Sequence, residues 1–139
     1  MNASRHRVIL LLLLCVVGQS CASSSQKFTK EVQEAISWVA SSRMIGEAYV
    51  NGTIPKGYTK KALASFDSEL RSSAQRLQSI SDQRRAGTLV ILNQAEQTVD
   101  QMQTALDDSV SFAQLNLRLV DQQRALAATT NPQAVLRGP

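Results

Sequence analysis

The residues with the widest chemical scope in this chain are one histidine, His6, two cysteines, Cys15 and Cys21, and eleven Asp and Glu side chains. An imidazole can act as a general base, a thiolate as a nucleophile, and two converging carboxylates as an acid–base pair. Position limits what these groups can do. Arg5-His6-Arg7 is followed by an apolar run over residues 8–17, then Gly18-Gln19-Ser20-Cys21-Ala22 and three serines. A basic start, a short apolar stretch and a small-residue exit have the layout of a secretory signal. The run is too short to span a bilayer core of about 30 Å, which takes about 20 apolar residues in a helix. Cleavage of this leader removes His6 and Cys15 together.

The stretch around Cys21 resembles bacterial lipoprotein signal peptides, which are cut just before a cysteine that then carries acyl chains. The resemblance covers residues 5–25, with Ser20 before the cysteine and a Ser-rich stretch after it. It departs from the pattern at Gly18, where such leaders usually carry Leu or another branched apolar residue. The resemblance implies that Cys21 is the lipidation site, with palmitate among its acyl chains. Ala22 in place of Asp after the cysteine is similar to the class sent to the outer membrane, here facing the periplasm. Ser20-Cys21-Ala22 also fits ordinary secretion, with a cut after Ala22 that discards the cysteine. An acylated cysteine would hold firmly, because each buried methylene contributes about 0.8 kcal/mol and stable anchoring needs more than one chain.

Without the leader the chain has no imidazole and no free thiol. That argues against Ser-His-Asp and Cys-His catalysis, against zinc sites built on His and Cys, and against an internal disulfide. No Walker loop, G-x-G-x-x-G or EF-hand spacing occurs. A carboxylate hydrolase would have to draw on Glu31, Glu34, Glu47 and Glu69, all on stretches patterned as solvated helix faces. The expectation is a non-enzyme with no cofactor and no metal. Arg5 and Arg7 leave with the leader, so thirteen basic residues remain against eleven acidic ones. They are dispersed and aromatics are few, which does not fit the basic stripe with stacking rings of a nucleic-acid binder.

The periodicity is helical throughout. Over residues 28–50, Phe28, Val32, Ile36 and Val39 recur at steps of four and three, and Asn51-Gly52 supplies a stop. Over residues 60–84, Leu63, Phe66, Leu70, Ala74, Leu77 and Ile80 continue the pattern, with Thr59 as the expected N-cap. The stripe lapses over residues 81–85 beside Gly87, which predicts a turn there. From residue 88 to 128, Leu92, Ala95, Val99, Met102, Leu106, Val110, Ala113, Leu117 and Val120 step by 3, 4, 3, 4, 4, 3, 4 and 3. That mean of 3.5 is the coiled-coil period and crosses Asp107-Asp108 without losing phase, so one long helix is predicted. At 1.5 Å per residue it would measure roughly 60 Å and outreach its neighbours, so that either it bends near Asp107 or its overhang meets something else.

The expected architecture is all-α: a small up-down helical bundle of about three helices, the last one long, after a cleaved signal peptide. Residues 1–20 form the lipoprotein-type signal, 21–26 a Ser-rich tether, 27–128 the helical bundle domain and 129–139 a disordered tail. Trp38, the sole tryptophan, reads first as a core or helix-crossing residue and Ile54 and Tyr58 as packing of the punctuated connector at residues 51–58; as the alternative, Trp38, Ile54 and Tyr58 are the candidate partner contacts. Function is expected to be that of a non-enzymatic, membrane-tethered envelope lipoprotein working through helix-mediated contacts with a second copy or a helical partner. The alternative is a soluble secreted or periplasmic helical protein that binds a hydrophobic or peptide ligand.

Overall fold

The structure, a computed structural model, describes residues 19–131. Residues 1–18 of the expected leader and residues 132–139 of the expected tail lie outside that range. Among the described residues four helices follow one another: α1 over Gln19–Val50, α2 over Lys56–Gln78, α3 over Arg85–Thr104 and α4 over Ser109–Thr129. The described residues contain no strand. α1 and α3 each pack against both α2 and α4 and meet each other only across the bundle diagonal. Helices adjacent in sequence are therefore adjacent in space.

The core is the apolar stripe of each helix turned inward. Phe28, Val32, Ala35 and Val39 of α1 face Leu63, Leu70, Ala74 and Leu77 of α2, with Leu92, Ala95, Val99 and Met102 of α3 closing over them. Each fully buried Leu or Phe contributes about 1.5–3 kcal/mol of transfer free energy. Buried hydroxyls are satisfied locally: Ser42, Thr88 and Thr98 each donate to the carbonyl four residues back.

The first turn follows the sequence expectation closely. Gly52 takes φ +69°, its N–H donates to Tyr49 O at 2.9 Å, and the Thr53 N–H donates to Ala48 O at 2.8 Å. This is the paired-bond closure of a helix whose C′ residue must be left-handed, a conformation that disfavours any Cβ. Gly52→Ala should therefore cost about 1 kcal/mol, measured by urea unfolding, although no atom would crowd the new methyl.

Several boundaries differ from expectation. α1 begins at Gln19 rather than near Phe28, so the Ser-rich stretch is helical. Within it, Ser24 Oγ donates to Ser81 O at 2.8 Å and Ser25 Oγ accepts from Arg84. Serines in the second turn of α1 gain bonds from the α2–α3 turn that the isolated sequence does not reveal. Thr59 is not an N-cap: Pro55 holds that position, and Thr59 is buried one turn in, donating to Pro55 O at 3.1 Å. The break expected over residues 81–85 is present, at residues 79–84, with Gly87 inside the first turn of α3.

The largest correction concerns the last segment. The bundle has four helices, not three, because the predicted long helix breaks over residues 105–108. The Asp108 carboxylate accepts from the Val110 and Ser111 N–H groups, both at 3.1 Å, and from the Ser111 hydroxyl at 2.6 Å. It is an N-cap, and these bonds hold its carboxyl below the usual carboxylate range. Folding back lets α4 bury Phe112, Leu115, Leu119 and Leu126 against α1 and α3. A continuous helix would overhang the roughly 30–35 Å of α2 and α3 and leave that face in water. Tyr49 fixes the end, donating its hydroxyl to Leu106 O at 2.6 Å while its ring meets Phe112 edge-on at 5.0 Å.

Candidate contact surface

The break also changes which side of the last helix is buried. Leu92, Ala95, Val99, Met102 and Leu106 of the 3.5-residue stripe are in the core as expected. Beyond the turn the stripe leaves it: Val110 is 66% exposed and Leu117 67% exposed. α4 thus carries two apolar faces, and the packing against α1 and α3 selects the one that holds Phe112, Leu115 and Leu119. On the other face Val110, Ala113, Leu117 and Val120 follow one another at spacings of three, four and three; Val110 and Leu117 stand out into solvent, and Ala113 and Val120 are half-buried at the edge of the ridge.

A shallow groove of about 270 Å³ is lined on the α4 side by Ala113, Asn116, Leu117 and Val120 and on the other by Glu47 and Val50 of α1 and by Asn51 just past its end. Asn116 is buried, and its Oδ1 has no hydrogen-bond partner among the described residues. It sits there because α1 and α4 approach closely at Gly46. A Cβ built on Gly46 would lie 2.3 Å from Asn116 Oδ1 and 2.9 Å from the Met102 Cε. Val50, half exposed, extends the apolar surface from α1.

The residues singled out from the sequence do not assemble into one patch. Trp38 packs in the α1–α2 seam, tilted 35° against Phe66 with ring centroids 5.8 Å apart. Its Nε1 is buried without a hydrogen-bond partner among the described residues. Ile54 is half-buried in the α1–α2 turn and Tyr58 is exposed at the start of α2, several turns away from Trp38. Cys21 lies in the first turn of α1, at the end of the bundle opposite that turn.

The carboxylates named as hydrolase candidates are spread out and mostly held by arginines. Arg76 donates to Glu31 at 2.6 Å and to Glu34 at 2.9 Å, while Glu47 stands 3.7 Å from Arg43 at the other end of α1. Asp67 is the acid that the sequence did not single out. Burial pushes its carboxyl up, Arg71 at 3.0 Å pulls it down, and Glu96 and Asp100 push it up again. Among the described residues no cluster of three or more His, Cys, Asp or Glu is arranged to hold a metal ion. None of the described helices is long and apolar enough to cross a membrane.

The residues of this ridge belong to the 3.5-residue stripe, but the period alone does not show which of them the bundle covers. A signal was available in the second set at Phe112, Leu115 and Leu119, since two apolar faces on one helix cannot both face the same core. Compared with known proteins, the chain matches no family model, no curated protein and no solved structure.

Proposed function

We propose that this protein is a non-enzymatic envelope lipoprotein, a four-helix bundle tethered at the outer membrane through acylated Cys21 and acting by protein contact. The observation that carries this reading is the separation of two features along the length of the bundle. Cys21 is in the first turn of α1, whereas the exposed apolar surface of Val50, Leu117 and Val110 lies at the distal end. From Cys21 to Val50, α1 rises about 40 Å at 1.5 Å per residue. Because the helix runs through the Ser-rich stretch, an anchor at Cys21 would hand its orientation to the bundle and carry the apolar ridge away from the bilayer into the periplasm. Exposed apolar surface on a small domain marks contact with another protein more often than it marks chemistry.

The test is metabolic labelling with a palmitate analogue in cells that produce the full chain. Wild type should incorporate label and remain in the membrane pellet. Cys21→Ser should lose the label and move to the soluble fraction. Label retained by Cys21→Ser refutes the anchor.

A further inference from the structure

Building on the protein-contact reading, we infer that the partner of the outward α4 ridge is a second copy of this chain, paired antiparallel, α4 against α4. The ridge Val110, Ala113, Leu117, Val120 has spacings of three, four and three, so it is symmetric about residue 115. Turned end for end, a second α4 sets Val110 opposite Val120 and Ala113 opposite Leu117, and each such pairing occurs twice. The small methyl of Ala113 then makes room for the Leu117 side chain of the other copy. A 3-4-3 apolar spacing is that of helices packing knobs into holes, and a self-complementary patch is what a two-fold dimer needs.

Charge favours the same partner and the same direction. The ridge runs from Asp107 at its start to Arg124 at its end, with side chains 85% and 77% exposed. Each makes only a surface pair within its own chain, Asp107 with Lys56 and Arg124 with Asp121 at 3.6 Å. Antiparallel pairing about residue 115 puts Arg124 of one copy just beyond Ser109 of the other, beside the 105–108 turn that carries Asp107, so opposite charges meet at both ends. A parallel pairing would set Asp107 against Asp107 and Arg124 against Arg124. The helix that supplies the ridge is held from behind by Phe112, Leu115 and Leu119, so the surface is in place before a partner arrives.

Disulfide trapping in the full chain tests this. Ala113→Cys and Leu117→Cys, produced together with different tags and oxidised, should give a mixed dimer. Leu117→Cys alone should cross-link weakly, because its two copies are offset by about four residues, or roughly 6 Å of helix rise. Cys21 is common to all variants, so only position-dependent bands count. In mild detergent, wild type should show a dimer mass that dissociates on dilution. Leu117→Glu should be monomeric with unchanged helicity, since the side chain is largely in solvent. A wild type that stays monomeric at every concentration, whether its ridge takes a foreign helix or nothing, overturns the inference. So does strong Leu117→Cys self-linking without the mixed band. Palmitate labelling of the same preparations reports on the anchor separately: an unlabelled dimer upholds the pairing and refutes the tether, and a labelled monomer does the reverse.

Discussion

Replacing Arg84 by Met should destabilise the bundle by about 3 kcal/mol at neutral pH, the usual cost of breaking a buried ion pair from one side. Arg84 and Asp82 are 11% and 9% exposed and joined by two hydrogen bonds, Nε to Oδ1 at 2.9 Å and Nη2 to Oδ2 at 2.8 Å. The same guanidinium donates to Ser25 Oγ at 3.1 Å and stands 4.4 Å over the Phe28 ring, with a longer bond of 3.4 Å to Thr129 O. One side chain therefore ties α1, the α2–α3 turn and the end of α4 together. Methionine keeps much of the packing against Phe28 and leaves the Asp82 carboxylate buried without its cation.

The pH dependence gives the prediction its sign. The Asp82 carboxyl is held below its ordinary value, first by the Arg84 side-chain bonds and then by the Arg84 N–H, against burial, which raises it. A depressed carboxyl contributes stability that is present above its unfolded value, about 3.9, and is lost as pH falls through the folded value. In Arg84→Met burial dominates and the carboxyl should titrate above its unfolded value, so that its contribution declines as pH rises. The gap between wild type and mutant should then be widest near neutrality and narrow toward about pH 3. Urea unfolding across that range measures it. Adding Asp82→Asn to Arg84→Met should recover most of the loss, and a gap that does not change with pH would show that the charge pair is not the cause.

At the distal end, Gly46→Leu should cost about 3 kcal/mol while Gly46→Ala stays near neutral. Alanine gains about 1 kcal/mol in a helix interior over glycine. Against that gain, its methyl would sit 2.3 Å from Asn116 Oδ1, 2.9 Å from Asn116 Cγ and 2.9 Å from Met102 Cε. Two of these atoms are ends of side chains that can turn aside. Leucine adds three more carbons to the same gap, and only separation of α1 from α4 can accommodate them. In an Asn116→Ala background the obstruction at 2.3 Å is gone, so Gly46→Ala should become stabilising there. Thermal melts of the four variants form the cycle. If Gly46→Leu were tolerated as well as Gly46→Ala, the close approach of these helices would be refuted.

Much of the fold is legible in the residues because helix stripes and stops are local. The steps through Phe28, Val32 and Val39, and through Leu63, Leu70 and Leu77, mark faces that are buried. The Asn51-Gly52 stop works because a left-handed residue closes a helix whatever lies around it. Other features depend on distant partners. Trp38 and Phe66 meet across the α1–α2 seam, and the helical serines of α1 bond to Ser81 and Arg84, more than fifty residues away. Gly46 gives no local sign of its importance, since its role is defined by Asn116 and Met102 on other helices.

By itself, the sequence determined that the chain is helical, where the first helix stops, and which faces of the first two helices are apolar. Those properties follow from propensity, period and glycine chemistry within a few residues. Only the tertiary structure decided that the last segment is two helices and which apolar face of α4 is covered. Periodicity counts apolar positions without ranking them. The Asp108 cap allows the break, and the fit of Phe112 to Tyr49 and of Leu119 to the core determines the rotation that leaves Val110 and Leu117 outside.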